Sequence, residues 1–446
     1  MPPASTETTS GDTSRSRGTD QQLADVAVIG TGAMGTGIAQ VAAQAGHRVH
    51  LLDAFEGAAD TAHQRLGATL TRLASKGKIS QDDADAATAR LDVVDRIEEL
   101  PPCGLVIEAI REDLADKRAI FTALAEHQPA DTLLATNTSS LDIAAVADGL
   151  PHPERVLGLH FFNPPPLMRL VEVIHGRNHE GPSGEVTAES AQVLCRAAEL
   201  VRTWGKTPVS CTSTPGFIVN RVARPFYGEA QRMVGEGTLD AATVDLALRQ
   251  VGFRMGPMEL TDLIGQDVNL AVGTSVWEQT GRDERYTPTD YQRGLVDAGK
   301  LGRKTGEGVF SYDESGRALD AEPDEDLAAK LTASDAPVRT NPVARTVAML
   351  VNEAVDLVAR GEATAEDVDT AMRLGTNYPR GPIEWGREIG FATVAEQLRE
   401  LDAAFPGGRY RVSPALLEGD DGVRIAAERG SERRGARPES TDGSVQ

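Results

Sequence analysis

The stretch that leaves this chain least freedom is a junction. The apolar, β-rich run Leu23-Ala24-Asp25-Val26-Ala27-Val28-Ile29 passes without a spacer into Gly30-Thr31-Gly32-Ala33-Met34-Gly35, and a helical period through Ile38, Val41 and Ala42 follows. In that order, Gly30 permits the tight turn, Gly32 lets the backbone approach a pyrophosphate, and Gly35 lets the helix pack on the strand. The phosphates then sit at a helix N-terminus. The next apolar run, residues 47–52, ends in Asp53, eighteen residues after Gly35. A carboxylate there accepts hydrogen bonds from a ribose and repels a 2′-phosphate, and no arginine follows directly, so NAD is favoured over NADP.

Strand-like runs recur at 105–107, 133–135 and 156–158, alternating with helical stretches such as 57–78 and 116–126. That alternation describes an α/β fold with a Rossmann-like doubly wound sheet, whose ligands bind beyond the carboxyl ends of the strands. Those ends carry Glu112 and Lys117, then Asn137-Thr138-Ser139-Ser140, then His160.

Residues 157–174 read LGLHFFNPPPLMRLVEVI and place His160 and Glu172 among Leu, Phe and Val. Buried polar groups persist when hydrogen-bonded, and the simplest partner for each is the other. An imidazole held by a buried carboxylate can take a proton from an alcohol near neutral pH. Read alone, the two residues fit a satisfied core pair equally well.

The chain has 446 residues, more than one core usually holds, so two or three domains are expected. Its 67 acidic and 45 basic residues leave a net charge of -22, which argues against nucleic acid or an anionic membrane as partner. Cys103, Cys195 and Cys211 lack metal-ligand spacing and fit a reducing compartment; no metal site is expected. With no apolar run of signal or membrane-spanning length, the expected location is cytoplasmic. Residues 1–22 and 431–446 are polar tails expected to be disordered.

After an NAD-binding domain over 23–213, residues 214–313 read as an all-α domain, 314–340 as a linker rich in Ser, Asp, Glu and Pro, and 341–430 as a second all-α domain. The second repeats the first: Asp245 pairs with Asp369, Gly256-Pro257 with Gly381-Pro382, Glu259 with Glu384, and Gly265 with Gly390. Counted back from Asp369, the position matching Asn220 is Ala344, and nothing past Arg409-Tyr410 matches the glycine-rich turn at Lys304. The copy is expected to be structural, covering apolar surface as an internal pseudo-dimer, with further homo-oligomerisation left open. The alternative is a lid on the substrate.

The segments GTGAMGTGIAQ, VIEAIREDLADK, NTSSLDI, GLHFFNPPPLMRLVEVI, TPGFIVNR and LGRKTGEG, in that order over residues 26–312, resemble the 3-hydroxyacyl-CoA dehydrogenase family. The resemblance implies NAD-dependent oxidation of an (S)-3-hydroxyacyl-CoA, with His160 as base, Glu172 as its partner, and Asn220 and Ser139 completing the active site and contacting substrate. It implies that Gly30, Gly32, Met34, Gly35, Asp53, Glu112, Lys117, Asn163 and Lys304 hold NAD, and that Thr69 and Lys76 meet coenzyme A. Thr69 stands where relatives often have serine, and Arg169 where lysine is usual. The two-copy form is similar to enzymes acting on short or dicarboxylic acyl chains, for which Arg169, Arg221 and Arg224 are candidate contacts to a distal carboxylate. Two other readings stand beside it: a β-hydroxyacid dehydrogenase of the 6-phosphogluconate type, and a non-catalytic NAD-binding protein.

Overall fold

The computed structural model describes residues 24–319, 321–333, 336–419 and 423. The expected tails at 1–22 and 431–446 lie outside them. Among the described residues eight strands form one sheet: β1 (Val26–Ile29), β2 (Val49–Leu52), β3 (Leu91–Val93), β4 (Leu105–Glu108), β5 (Leu133–Thr136), β6 (Val156–Phe161), β7 (Leu170–His175) and β8 (Thr207–Thr212). Their order across the sheet is β3-β2-β1-β4-β5-β6-β7-β8. Chain order reverses next to β1, which places the crevice of a doubly wound sheet at the glycine turn that follows β1. All pairings are parallel except β6 with β7. These two are joined by the short 162–169 loop, too brief for a crossover, so the chain must return antiparallel.

Helices α1 (Ala33–Gln44), α2 (Ala58–Ser75), α3 (Gln81–Thr88), α4 (Leu114–His127), α5 (Ile143–Ala147) and α6 (Ala188–Thr203) cover the sheet. The helix start at the glycine turn is enforced sterically, because a Cβ on Gly35 would stand 1.8 Å from the Gly30 carbonyl oxygen. On one face Val28, Ile38, Leu51, Leu66, Ile107 and Val201 form a closed core. The apolar surface on the other face, including Ile29, Val106 and Phe121, runs on without a break into the helices beyond the sheet.

The chain leaves β8 for a first helical module, α7 (Val219–Val222), α8 (Arg224–Gly235), α9 (Ala241–Gln250), α10 (Pro257–Ile264), α11 (Gln266–Gln279) and α12 (Asp290–Asp297). The stretch expected to be a linker instead holds α13 (Glu325–Leu331). Asp324 caps it, Ala328 is fully buried, and the Asp324 amide bonds Thr243, so this strap is packed on α9. Its polar composition reflects one solvated face. The second module follows as α14 (Pro342–Ala359), α15 (Ala365–Gly375), α16 (Pro382–Ile389), α17 (Phe391–Ala404) and α18 (Pro414–Leu417).

The repeat seen in the sequence is a repeat of contacts. Asp245 accepts from the amides of Met258 and Glu259 at the start of α10, and Asp369 accepts from Ile383 and Glu384 at the start of α16. A Cβ on Gly256 or Gly381 would collide with its aspartate at 2.1 Å, which is why Asp and Gly-Pro recur together. The modules meet through α8 and α14, and the contact is reciprocal. Glu353 accepts from Arg221 (2.5 Å), Tyr286 (2.5 Å) and Arg285 (3.2 Å). Glu229 accepts from Arg345 (2.7 Å), Tyr410 (2.7 Å) and Arg409 (2.9 Å). Each group in one cluster stands at the repeat position of its counterpart in the other. The second module also reaches the sheet: the Thr212 amide bonds the Glu362 carbonyl at 2.9 Å, and Gly375 lies against Leu170 and Val219.

Both carboxylates are fully buried, so a partner left alone would carry an unpaired charge in the interior. Glu229→Ala should cost about 3–5 kcal/mol in urea unfolding at pH 7; an unchanged midpoint would show that the cluster contributes nothing. Burial opposes the Glu229 charge, but Arg409 and Arg345 outweigh it and hold its carboxyl at about 2 against an ordinary 4.5. Its contribution is therefore intact above pH 4.5 and lost as pH falls toward 2. In Glu229→Gln that part of the acid sensitivity should be missing.

Candidate active site

The antiparallel pairing of β6 and β7 sets His160 directly opposite Glu172. Side chains opposite one another lie on the same face, so the imidazole and the carboxylate meet. His160 Nδ1 is 2.6 Å from Glu172 Oε2, with the histidine 7% and the glutamate 0% exposed. The other carboxylate oxygen, Oε1, accepts from the amides of Ile218 (3.1 Å) and Val219 (2.9 Å). These are the first amides of α7, where a helix favours negative charge. Gly216 and Phe217 both take left-handed φ, which turns the chain so that α7 begins against Glu172. The rings of Phe162 and Phe217 stand 4.5 and 5.8 Å from that of His160. Asn220 follows Val219 in the same short helix and is partly exposed.

At the neighbouring strand ends, Glu112 gathers the Asn-Thr-Ser-Ser loop. Its Oε1 accepts from Thr138 Oγ1 (2.5 Å), the amides of Ser139 (2.9 Å) and Ser140 (3.1 Å), and Ser140 Oγ (3.0 Å). Burial works against this charge, but Thr138 and Lys117 prevail and hold the carboxyl below its usual range. Asn137 joins the loop to β6 by accepting from the Phe161 amide at 2.9 Å. Lys117 stands beside Glu112. It is 1% exposed, its ammonium lies 2.7 Å from Glu108 and 3.3 Å from Glu112, and it braces the carboxylates behind the crevice.

The glycine turn completes this rim. Among the described residues, its chain neighbours aside, nothing lies within 4 Å of where a Gly32 Cβ would be, and no side-chain cap closes the N-terminus of α1. Open backbone at an uncapped helix start fits a dinucleotide pyrophosphate. Asp53 stands beside the turn, accepting from the Thr31 amide (2.6 Å) and hydroxyl (2.7 Å). Burial raises its carboxyl, yet these bonds and one from Phe55 more than offset that and leave it below the ordinary value, ionised at neutral pH. Met34 is half-buried at the start of α1, and Asn163 is exposed on the 162–169 loop. The Pro165 ring, in the same loop, lies 2.8 Å from where a Cβ on Gly37 of α1 would stand, so the His160 loop is tied to the glycine helix.

The remaining expected residues stand on other elements or face other partners. Thr69 and Lys76 sit two turns apart on one face of α2 and its C-cap, Lys76 exposed. Lys304 belongs to the first helical module, where its ammonium lies 2.5 Å from Asp267. Arg221, a candidate for a distal carboxylate, is instead buried in the module interface, held by Glu353, Asp356 and Glu362. Arg169 is exposed. The backbone bonding of Glu172 to Ile218 and Val219, and the hub role of Glu112, were not read from the sequence; only the turn residues Pro215-Gly216 hinted at the first.

The profile of the 3-hydroxyacyl-CoA dehydrogenase NAD binding domain matches residues 25–214, and that of the 3-hydroxyacyl-CoA dehydrogenase C-terminal domain matches residues 216–312 and 342–426. The chain belongs to the 3-hydroxyacyl-CoA dehydrogenase family. It is an NAD-dependent oxidoreductase, and the 6-phosphogluconate-type and non-catalytic readings fall away. A 3-hydroxyadipyl-CoA dehydrogenase of Escherichia coli K12 is 39% identical to this dehydrogenase over 88% of its chain and 96% of the relative. A 3-hydroxybutyryl-CoA dehydrogenase of Clostridioides difficile is 38% identical, covering 65% of this chain and 99% of its own. The crystal structure named 3-hydroxybutyryl-CoA dehydrogenase from Escherichia coli K12 superposes with a TM-score of 0.78 at 38% identity, covering 92% of this chain and 99% of that one. Among the described residues no helix is long and apolar enough to cross a membrane.

Replacing Asp53 by Ala in this dehydrogenase should lower the ratio of NAD to NADP affinity by about tenfold or more, the worth of one charge-assisted hydrogen bond. Dissociation constants for both cofactors measure it. Equal losses would show that Asp53 does not set the choice.

Proposed function

We propose that this dehydrogenase oxidises the C3 hydroxyl of short or dicarboxylic (S)-3-hydroxyacyl-CoA substrates to the 3-oxo product, with His160 as the base. The observation that carries the reading is the His160–Glu172 pair set against the first amides of α7. Glu172 accepts at Nδ1 and so fixes the tautomer, leaving Nε2 as the nitrogen that takes the hydroxyl proton. The imidazole becomes cationic as it does so, and a carboxylate 2.6 Å away stabilises that charge. Because Glu172 Oε1 is already occupied by two backbone amides, it cannot swing away from the ring.

Asn220, on α7, and Ser139, on the loop held by Glu112, would orient the alcohol oxygen and the thioester carbonyl. Gly30, Gly32, Met34, Gly35 and Asp53, with Asn163 on the loop packed against α1, would hold NAD, which when bound supplies the acceptor for the C3 hydride. Glu112, braced by Lys117, would shape the same rim, and Thr69 and Lys76 on α2 would meet coenzyme A. Lys304 would act from the helical module. The two modules pair within one chain as an internal pseudo-dimer, a reading supported by the reciprocal Glu229 and Glu353 clusters.

His160→Ala should lower kcat by about 10³-fold or more while NADH still binds, followed by fluorescence titration. An active variant would end the assignment. Glu172→Gln should retain the fold poorly and lower kcat with little change in KM for NAD, since the carboxylate touches the ring and α7 but not the glycine turn.

A further inference from the structure

Ala223, between α7 and α8, keeps right-handed helical dihedrals, so the chain is helical from Val219 through Gly235. Asn220 and Arg224 are four residues apart and share a face, one turn from each other. Among the described residues the hydrogen bonds of Arg224 go to two main-chain carbonyls, Asn220 at 2.8 Å and Asn269 at 3.3 Å. Its guanidinium lies 5.0 Å from the centre of the Tyr227 ring. Among the described residues no acid pairs with it. Arg221, Arg285, Arg345 and Arg409 of the modules each hold a carboxylate, whereas Arg232, like Arg224, bonds a main-chain carbonyl, that of Thr287. An enclosed guanidinium bonded to carbonyls alone, in a chain with net charge -22, keeps the capacity to pair with an anion.

A second, independent observation lies beside it. Tyr378 enters from the second module, is 5% exposed, and among the described residues its hydroxyl has no hydrogen-bond partner. It lies within electrostatic reach of both Arg224 and Tyr227. Buried hydroxyls are ordinarily satisfied, so this one marks a place for an acceptor. On the remaining side Gly273 of α11 supplies no side chain, and a Cβ there would approach Arg224 to 3.7 Å. Burial alone presses the guanidinium toward losing its proton, a tendency an anionic guest would reverse.

We propose that Arg224 and the Tyr378 hydroxyl, with Tyr227 beneath the guanidinium, form the receptor for a second carboxylate at the far end of the acyl chain. The proposal rests on the dehydrogenase reading above and deepens it. With the C3 alcohol at His160 and Asn220, the receptor stands one helical turn farther on, the right side for a carboxylate a few carbons beyond C3. The second module then contributes to substrate choice through Tyr378, without a group at the reacting carbon.

The test is steady-state kinetics of the full chain with NAD on two six-carbon 3-hydroxyacyl-CoA substrates, one ending in a methyl and one in a carboxylate. The wild-type protein should favour the dicarboxylic substrate in kcat/KM. Arg224→Met should lower the ratio of the two kcat/KM values by about 30- to 100-fold, chiefly through KM of the dicarboxylic substrate, as expected for a lost charge-assisted pair. Tyr378→Phe, which removes only an unpartnered hydroxyl and so should fold, should lower it about fivefold. A wild-type ratio near one, or a ratio unmoved by either variant, overturns the inference, as does an equal loss on both substrates, which marks a structural role. Should Arg224→Met not fold, Tyr378→Phe decides alone on the same criterion. Wild-type protein inactive on both substrates would instead sink the dehydrogenase reading, whereas activity on both with an Arg224-independent ratio sinks only this inference.

Discussion

One carboxylate joins the two halves of this molecule. Glu172 sits at zero exposure with both oxygens occupied, one by an imidazole on the adjacent strand and the other by the leading amides of a helix from another module. Had it only the histidine, the ring could rock; had it only the amides, the helix would dock without regard to the site. Holding both makes the placement of Asn220 a consequence of the placement of His160. A carboxylate buried at a helix N-terminus is also compensated there by the backbone amides it accepts from.

The same economy shapes the neighbouring rim. Glu112 organises a loop of hydroxyls, Lys117 backs it from beneath, and Pro165 ties the histidine loop to the glycine helix. Each contact links two strand ends, so the crevice is assembled from side chains that also bind one another. The second module enters this scheme from behind, resting on Thr212, Leu170 and Val219 and thereby steadying α7.

Much of this was legible in the sequence where the physics is local. The β-run, glycine turn and helix could hardly be read otherwise, and the apolar setting of His160 and Glu172 made each the simplest partner of the other. The duplication was equally plain, because Asp245 and Asp369 each need a glycine two helices' ends away to leave room for capping. What could not be read depends on distant partners. Arg221 and Arg224 look alike in the string NRVAR, yet one is locked into a carboxylate cluster built by residues 353–362 and the other is not. Lys117 reads in the sequence as one of the residues beyond a strand end, and its burial against Glu108 and Glu112 follows only from the assembled sheet. The 314–340 stretch is polar because one side faces water, and composition does not distinguish a packed strap from a free tether. The short strands β3 and β8 went unread for the same reason: three residues and a proline-containing run borrow their extended form from their neighbours.

The twin glutamate clusters between the modules carry a consequence for how such a chain can change. In a two-fold symmetric assembly of separate subunits, every substitution at the contact is made twice and must suit both sides. Once the halves share a backbone, each position mutates singly, and association no longer weakens on dilution. One half can then keep the chemistry while the other drifts, which is how a repeat that carries alanine at the asparagine position can still present a tyrosine of its own to the first half.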